Sequence, residues 1–316
     1  MSVDRVATNS QYQFMLSQIM QANNALNTTQ QQVASGMVST NYVGLGDKTA
    51  TLEAARAAAD RADSYATNTQ QAVTQTDLQN TQLTTLSGLA QQLRQAITNA
   101  VGNSDGTNLM ATAQSVFQQA AAILNSTDAS GNYIYGGGQG NKQPFTAASL
   151  SALAGGTVAS FFQNGTQKQS VMVGDGQSVQ IGVLASDIGT QLMTALQSLQ
   201  NADSPAGSLD GQLTSTQVST LTGILPAATS AYTGLNAATA ANGDTYNRLA
   251  DAVTNQQSLS TLYKGFVSDI QDVDMTKAIS NLNQNQMALQ AALKVTSQLG
   301  QLSLLNYMPT GATTIG

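Results

Sequence analysis

Both ends of the chain carry the same apolar repeat, and nothing between them is an obvious partner for either. Tyr12, Met15, Ile19, Ala22, Leu26, Thr29 and Val33 recur at alternating steps of three and four. Met275, Ile279, Leu282, Gln286, Leu289, Leu293 and Thr296 do the same. Side chains at that spacing share one helix face and form a heptad seam. An amphipathic helix must bury its stripe against another surface. Two terminal seams on one chain can therefore pack on each other, on copies of the same protein, or both.

The composition bears on that choice. Charged residues make up only 9% of the 316 positions, and Gln, Asn, Ser and Thr take their place. An average globular chain has about 25%. Charged side chains resist association, so a surface this poor in them suits a protein covered by its neighbours. The net charge is −6 and the eleven Lys and Arg are scattered. That leaves no electrostatic footprint for nucleic acid and no polybasic segment for an anionic membrane. No apolar run approaches the length of a transmembrane helix. The first residues, Met1-Ser2-Val3-Asp4-Arg5, lack the apolar segment of a cleavable secretory signal.

Catalytic chemistry has little to draw on. Cys and His are both absent, which removes disulfides, the main zinc and haem ligands, and Ser–His or Cys–His nucleophilic pairs. No cofactor is expected. Gly136-Gly137-Gly138-Gln139-Gly140 is not followed by the Lys-Ser or Lys-Thr of a phosphate loop and reads as a turn. Asp269, Asp272 and Asp274 lack the full calcium-loop pattern. They are better placed to cap the C-terminal helix and offset its dipole.

Along the chain, the first seam ends at Ser35-Gly36, a helix C-terminal signal. A second helix, free of Pro, keeps three-four spacing from Leu52 to Val101, a rod of roughly 80 Å. Asn80 and Arg94 weaken its late seam, where Leu86, Leu89 and Leu93 take over the apolar face. A third helix runs from Leu109 to about Asn125. Helical spacing then vanishes. Val171 and Val173, then Val179, Ile181 and Val183, alternate on either side of Gly174-Asp175-Gly176 and predict a β-hairpin. Helices resume at Asp187 and at Leu209, with a kink or break expected at Pro226.

The fold expected is mainly α: an elongated antiparallel helical bundle or coiled coil built from both chain ends, with a small β-containing domain inserted at the tip. The segments are an N-terminal assembly helix and loop (1–46), a first rod arm (47–139), a small α+β insert (140–207), a return arm (208–270), and a C-terminal assembly helix and tail (271–316).

Several segments resemble the flagellin superfamily, and within it the hook–filament junction proteins. Arg5-Val6-Ala7-Thr8-Asn9 with Tyr12 is similar to the family's start, and Gln32-Val33-Ala34-Ser35-Gly36 to its first helix ending. Ser130-Gly131-Asn132-Tyr133-Ile134-Tyr135-Gly136-Gly137 with Pro144-Phe145 resembles the junction proteins' middle segment. Leu302-Ser303-Leu304-Leu305-Asn306-Tyr307 resembles their ending more than that of the flagellins. Residues 309–316 extend past the usual family end.

The resemblance implies a non-enzymatic structural subunit of the flagellum, extracellular, and exported unfolded by the flagellar secretion apparatus. It implies terminal helices that order on incorporation. The partners implied are copies of the chain in a ring, the first hook-associated protein on the hook side, flagellin on the filament side, and an export chaperone over the C-terminal seam. The candidate assembly interface is Tyr12, Met15, Ile19, Leu26, Val33, Ile279, Leu282, Leu289, Leu293, Leu299, Leu302 and Leu305. A flagellin of the filament itself is the nearest alternative. A secreted enzyme or adhesin on a coiled-coil stalk would need a catalytic cluster within 140–205, and the sequence has none there.

Overall fold

The computed structural model describes the backbone of residues 2–203 and 207–307, and the side chains of residues 10–203 and 207–298. The chain is mainly α-helical with a small β part. Seven α-helices are described: α1 (Ser2–Ser35), α2 (Thr49–Asn103), α3 (Leu109–Leu124), α4 (Leu150–Leu153), α5 (Ala185–Asp203), α6 (Ser215–Gln271) and α7 (Met275–Tyr307). One hairpin pairs β1 (Ser170–Gly174) with β2 (Gln177–Gln180). The chain divides into two compact units, residues 1–60 with 260–316, and residues 61–259.

In the second unit α2 and α6 run antiparallel. Leu213 N donates to the Ser104 carbonyl at 2.8 Å, Ser87 Oγ to Asn236 Oδ1 at 2.6 Å, and Asn242 Nδ2 to the Thr76 carbonyl at 2.9 Å. The buried face of α2 follows the expected heptad through Leu52, Ala55, Ala59, Ala62, Ala66, Thr69, Val73 and Thr76. From Gln79 onward the face widens: Leu83, Ser87, Ala90 and Ile97 keep the heptad phase, and Gln79, Leu86, Leu89 and Leu93 are buried beside them. Leu86, Leu89 and Leu93 join one core with residues of α3 and α5. Arg94 is half-buried, its guanidinium carbon 5.3 Å from the ring centroid of Tyr232 on α6.

Residues 104–214 add α3, α4 and α5 to this pair and build the larger core. Leu93, Ile97, Val116, Phe117, Leu124, Leu192, Met193 and Leu196 are all within it. The aromatic connection after α3 contributes Tyr135 and Phe145, both fully buried. Tyr135 donates its hydroxyl to Gln82 Oε1 at 2.6 Å, and burial pushes its pKa up. The Gly-rich run is explained by close backbone packing. Gly165 N donates to the Gly136 carbonyl at 2.9 Å, and a Cβ on Gly137, whose φ is +55°, would collide with the Gly165 carbonyl and Leu184. These glycines serve a tight crossing of two loops, with no phosphate cradle.

The hairpin forms at the predicted residues, with Val171 opposite Val179 and Gly176 at φ +69° in the turn. Val173, Val179 and Ile181 pack on Ala72 and Val73 of α2 and on Leu249 and Val253 of α6. The β part therefore lies along the sides of these helices, about thirty residues from the α2 end at Asn103.

Of the kink or break expected at Pro226, no break occurs: α6 runs on through it from Ser215 to Gln271. Proline removes one backbone hydrogen bond, to the carbonyl of Thr222, at a cost of about 3 kcal/mol in a helix interior. Here Leu221, Ile224, Ala228, Ala231 and Leu235 are all buried on one face, and their packing outweighs that loss. Pro226 itself is exposed, so little packing depends on its ring. Pro226→Ala is expected to raise stability by about 1–3 kcal/mol, read as a higher midpoint in thermal unfolding.

Candidate assembly surfaces at the chain termini

The first unit brings the two ends of the chain together. Val38 N donates to the Gln271 carbonyl at 2.8 Å, and Val273 N to the Gly36 carbonyl at 2.9 Å. This two-way bridge joins the segment after α1 to the segment before α7. Side chains reinforce it. Gln32 Nε2 donates to the Val38 carbonyl at 2.9 Å. The Arg56 guanidinium donates to Gln271 Oε1 and contacts Glu53 at 3.3 Å. Gly36 is at φ +71°, the left-handed turn that lets the chain leave α1.

Asp274 opens α7. Its carboxylate accepts from Lys277 N at 3.1 Å and its carbonyl from Ala278 N at 2.8 Å. Asp272 accepts from Ser268 Oγ, at the end of α6. Among the described residues no group of acidic side chains could hold a metal ion.

From this joint α1 and α7 pack against each other in antiparallel sense. The inward positions of α1 are Met15, Ile19, Ala22, Leu26, Thr29 and Val33, at steps of four and three. Those of α7 are Ala278, Leu282, Asn285, Leu289, Ala292 and Thr296. Of these only Thr29 and Ala278 are buried; the rest remain half-buried. One polar contact fixes the alignment. Asn285 Nδ2 lies 3.3 Å from both the Ala25 carbonyl and Thr29 Oγ1.

Met15, Ile19, Leu26 and Val33 thus lie on the α1 face turned to α7, and Leu282 and Leu289 lie on the answering face. Tyr12, Ile279 and Leu293 do not. They are 58%, 46% and 50% exposed. The side chains of Leu299, Leu302 and Leu305 fall outside the described residues, as does the tail 309–316.

On α7 the sequence repeat placed Ile279, Gln286 and Leu293 inward. The structure turns the helix by one residue, so Ala278, Asn285 and Ala292 face α1 instead. Small residues allow close approach of the two backbones, and Asn285 can reach across. A search for large apolar residues passes over all three. Their seven-residue spacing was the signal that could have found them.

The displaced residues form a second stripe. At 100° per residue, Met275, Ile279 and Leu293 fall together on α7, beside the buried seam. Tyr12, Leu16 and Met20 flank the inward face of α1 in the same way, and all six are exposed. Among the described residues no helix is long and apolar enough to cross a membrane.

This arrangement defines a helical subunit whose two ends form one half-buried coiled coil with an apolar border. Residues 225–308 match the model of the bacterial flagellin C-terminal helical region. No curated protein matches the chain. Among solved structures, it is similar to a protein described as a flagellar hook-associated protein from Vibrio parahaemolyticus. That likeness has a TM-score of 0.59 at 13% identity, over 73% of this chain and 99% of the other. It is also similar to FlgL from Bacillus cereus, with a TM-score of 0.51 at 15% identity, over 68% and 98%. The flagellin resemblance carried by the sequence thus has a counterpart in residues 225–308, a flagellin C-terminal region, within a chain whose fold is similar to those of these two proteins.

Proposed function

We propose that this chain is a structural subunit of the bacterial flagellum that forms part of the junction between hook and filament. The observation that carries the reading is the unfinished terminal seam. All the inward residues of α1 and α7 except Thr29 and Ala278 stay half-buried when the two helices pair, and an exposed apolar stripe borders each helix. Each half-buried leucine or isoleucine retains much of the stabilisation available from full burial, which is about 1.5–3 kcal/mol per side chain. Packing against further copies of the same helices releases it.

The junction assignment rests on the likeness to hook-associated folds and on the ending Leu302-Ser303-Leu304-Leu305-Asn306-Tyr307. Its neighbours would be the first hook-associated protein on one side and flagellin on the other. An export chaperone would cover the C-terminal seam before secretion. The match to a flagellin C-terminal region keeps a second reading in view, that of a filament subunit.

Deletion of the gene separates the two readings. Cells that keep their hooks, lack filaments and shed flagellin into the medium fit a junction subunit. Cells that keep hooks but release no flagellin fit a filament subunit. Intact filaments on the deletion strain defeat both.

A further inference from the structure

The second unit has two apolar clusters, and the layer between them is buried but polar. The larger cluster begins at Leu83 on α2 and Leu235 on α6. The smaller one joins Val73, Leu249 and Val253 to Val173 and Val179 of the hairpin. Between them lie Thr76 and Gln79 of α2 and Asn242 of α6, which are 1%, 0% and 5% exposed. Asn242 Nδ2 donates to the Thr76 main-chain carbonyl at 2.9 Å. Neither amide atom of Gln79 has a hydrogen-bond partner among the described residues, and neither does Thr76 Oγ1.

Cooperative unfolding depends on continuous apolar contact. A buried polar group without a protein partner contributes no such contact and loses its hydration. At this level the Gln79 amide and Thr76 Oγ1 are such groups, and they interrupt the apolar core. The smaller cluster also has modest means of its own. Its sheet has two strands with a register shift between Met172 and Gly174, and isolated two-stranded hairpins are marginal. Of its polar ties to the helices, Gln256 Nε2 to the Val173 carbonyl is part-buried. Tyr65 Oη to Asp175 and Gln75 Nε2 to Gln169 are exposed.

We propose that the Thr76–Gln79–Asn242 layer divides the second unit into two cooperative blocks, so that the hairpin and the helix segments beneath it open while the larger core stays folded. Sub-global openings of this kind follow contiguous structural elements. The layer is then the boundary of a locally opening block within two unbroken helices, placed where the hairpin lies.

Native-state hydrogen exchange on the full chain, followed by mass spectrometry, tests this. Amides in 65–75, 170–181 and 245–256 are expected to exchange on the order of 100-fold faster than those in 86–97 and 188–199. Leu249→Ala should speed exchange in the first set and leave the second unchanged. Thr76→Val with Gln79→Leu, which makes the layer apolar, should slow exchange in 65–75 and 245–256 by at least ~10-fold. Equal protection on both sides of the layer in the wild-type chain overturns the proposal. So does an equal response of both sets to Leu249→Ala. If the double variant does not fold, Gln79→Met takes its place, and no slowing on the hairpin side in that variant also counts against the layer.

Discussion

Leu293→Asp is expected to leave the isolated chain as stable as wild type, within about 0.5 kcal/mol, and to abolish its incorporation into flagella. The two halves of that expectation have different origins. Leu293 is half exposed in the single chain, so a carboxylate there keeps its hydration and disturbs little. Once a neighbouring helix covers the stripe of Met275, Ile279 and Leu293, the same carboxylate is desolvated without a partner. An uncompensated buried charge costs several kcal/mol, and in the proposed assembly every copy of the chain would bear that cost. Leu289→Asp makes the matching control. Leu289 sits on the α7 face turned to α1, so this substitution also weakens the pairing within one chain, while residues 61–259 remain folded. Complementation of the deletion strain, with recovery of the protein in sheared flagella set against the culture medium, reads both variants. Wild-type incorporation of Leu293→Asp would confine the seam to packing within one chain.

The parts of this fold that were legible in the sequence are those governed by a strict period or by a turn. Leu52 to Thr76 kept one heptad phase, and every residue on it is buried, with Ala72 beside it. Gly174-Asp175-Gly176 between alternating valines specified the hairpin. What was not legible depends on neighbours. Beyond Thr76 the buried face of α2 widens to take in Gln79, Leu86, Leu89 and Leu93, because α3 and α5 join the core there. Pro226 signalled a kink or break, and no break occurs because one lost hydrogen bond is small beside a buried face. In the candidate interface, six of the nine residues with described side chains lie on the α1–α7 seam. Ile279 and Leu293 lie outside it because Ala278, Asn285 and Ala292 permit a closer helix approach, a matter of size and reach that apolar counting does not weigh. The placement of the hairpin beside α2 and α6, through Val73, Leu249 and Val253, follows from tertiary packing alone.

Phe145→Ala is expected to be the most destabilising single substitution in the second unit. The Phe145 ring is fully buried, 6.1 Å from the Phe117 ring in an edge-on arrangement and 5.1 Å from that of Phe162. Its backbone is held from both sides by one amide. Asn125 Nδ2 donates to the Phe145 carbonyl at 2.8 Å, and Phe145 N donates to Asn125 Oδ1 at 2.9 Å. A bridge to Phe162 secures the same stretch, with Thr146 N on the Phe161 carbonyl at 2.9 Å. With its backbone fixed in this way, the site cannot collapse to fill the space left by the ring. The loss therefore falls at about 3–5 kcal/mol, the usual cost of a large core aromatic. For a unit of this size that lowers the thermal midpoint by roughly 6–20 °C, measurable by calorimetry. Phe145 and the terminal seam belong to different compact units. Phe145→Ala should accordingly still incorporate into flagella at temperatures where the second unit is folded, and fail only above its lowered midpoint. Leu293→Asp should fail at every temperature. If Phe145→Ala instead fails to incorporate even well below its midpoint, the second unit takes part directly in assembly, and the terminal helices are only part of the contact between subunits.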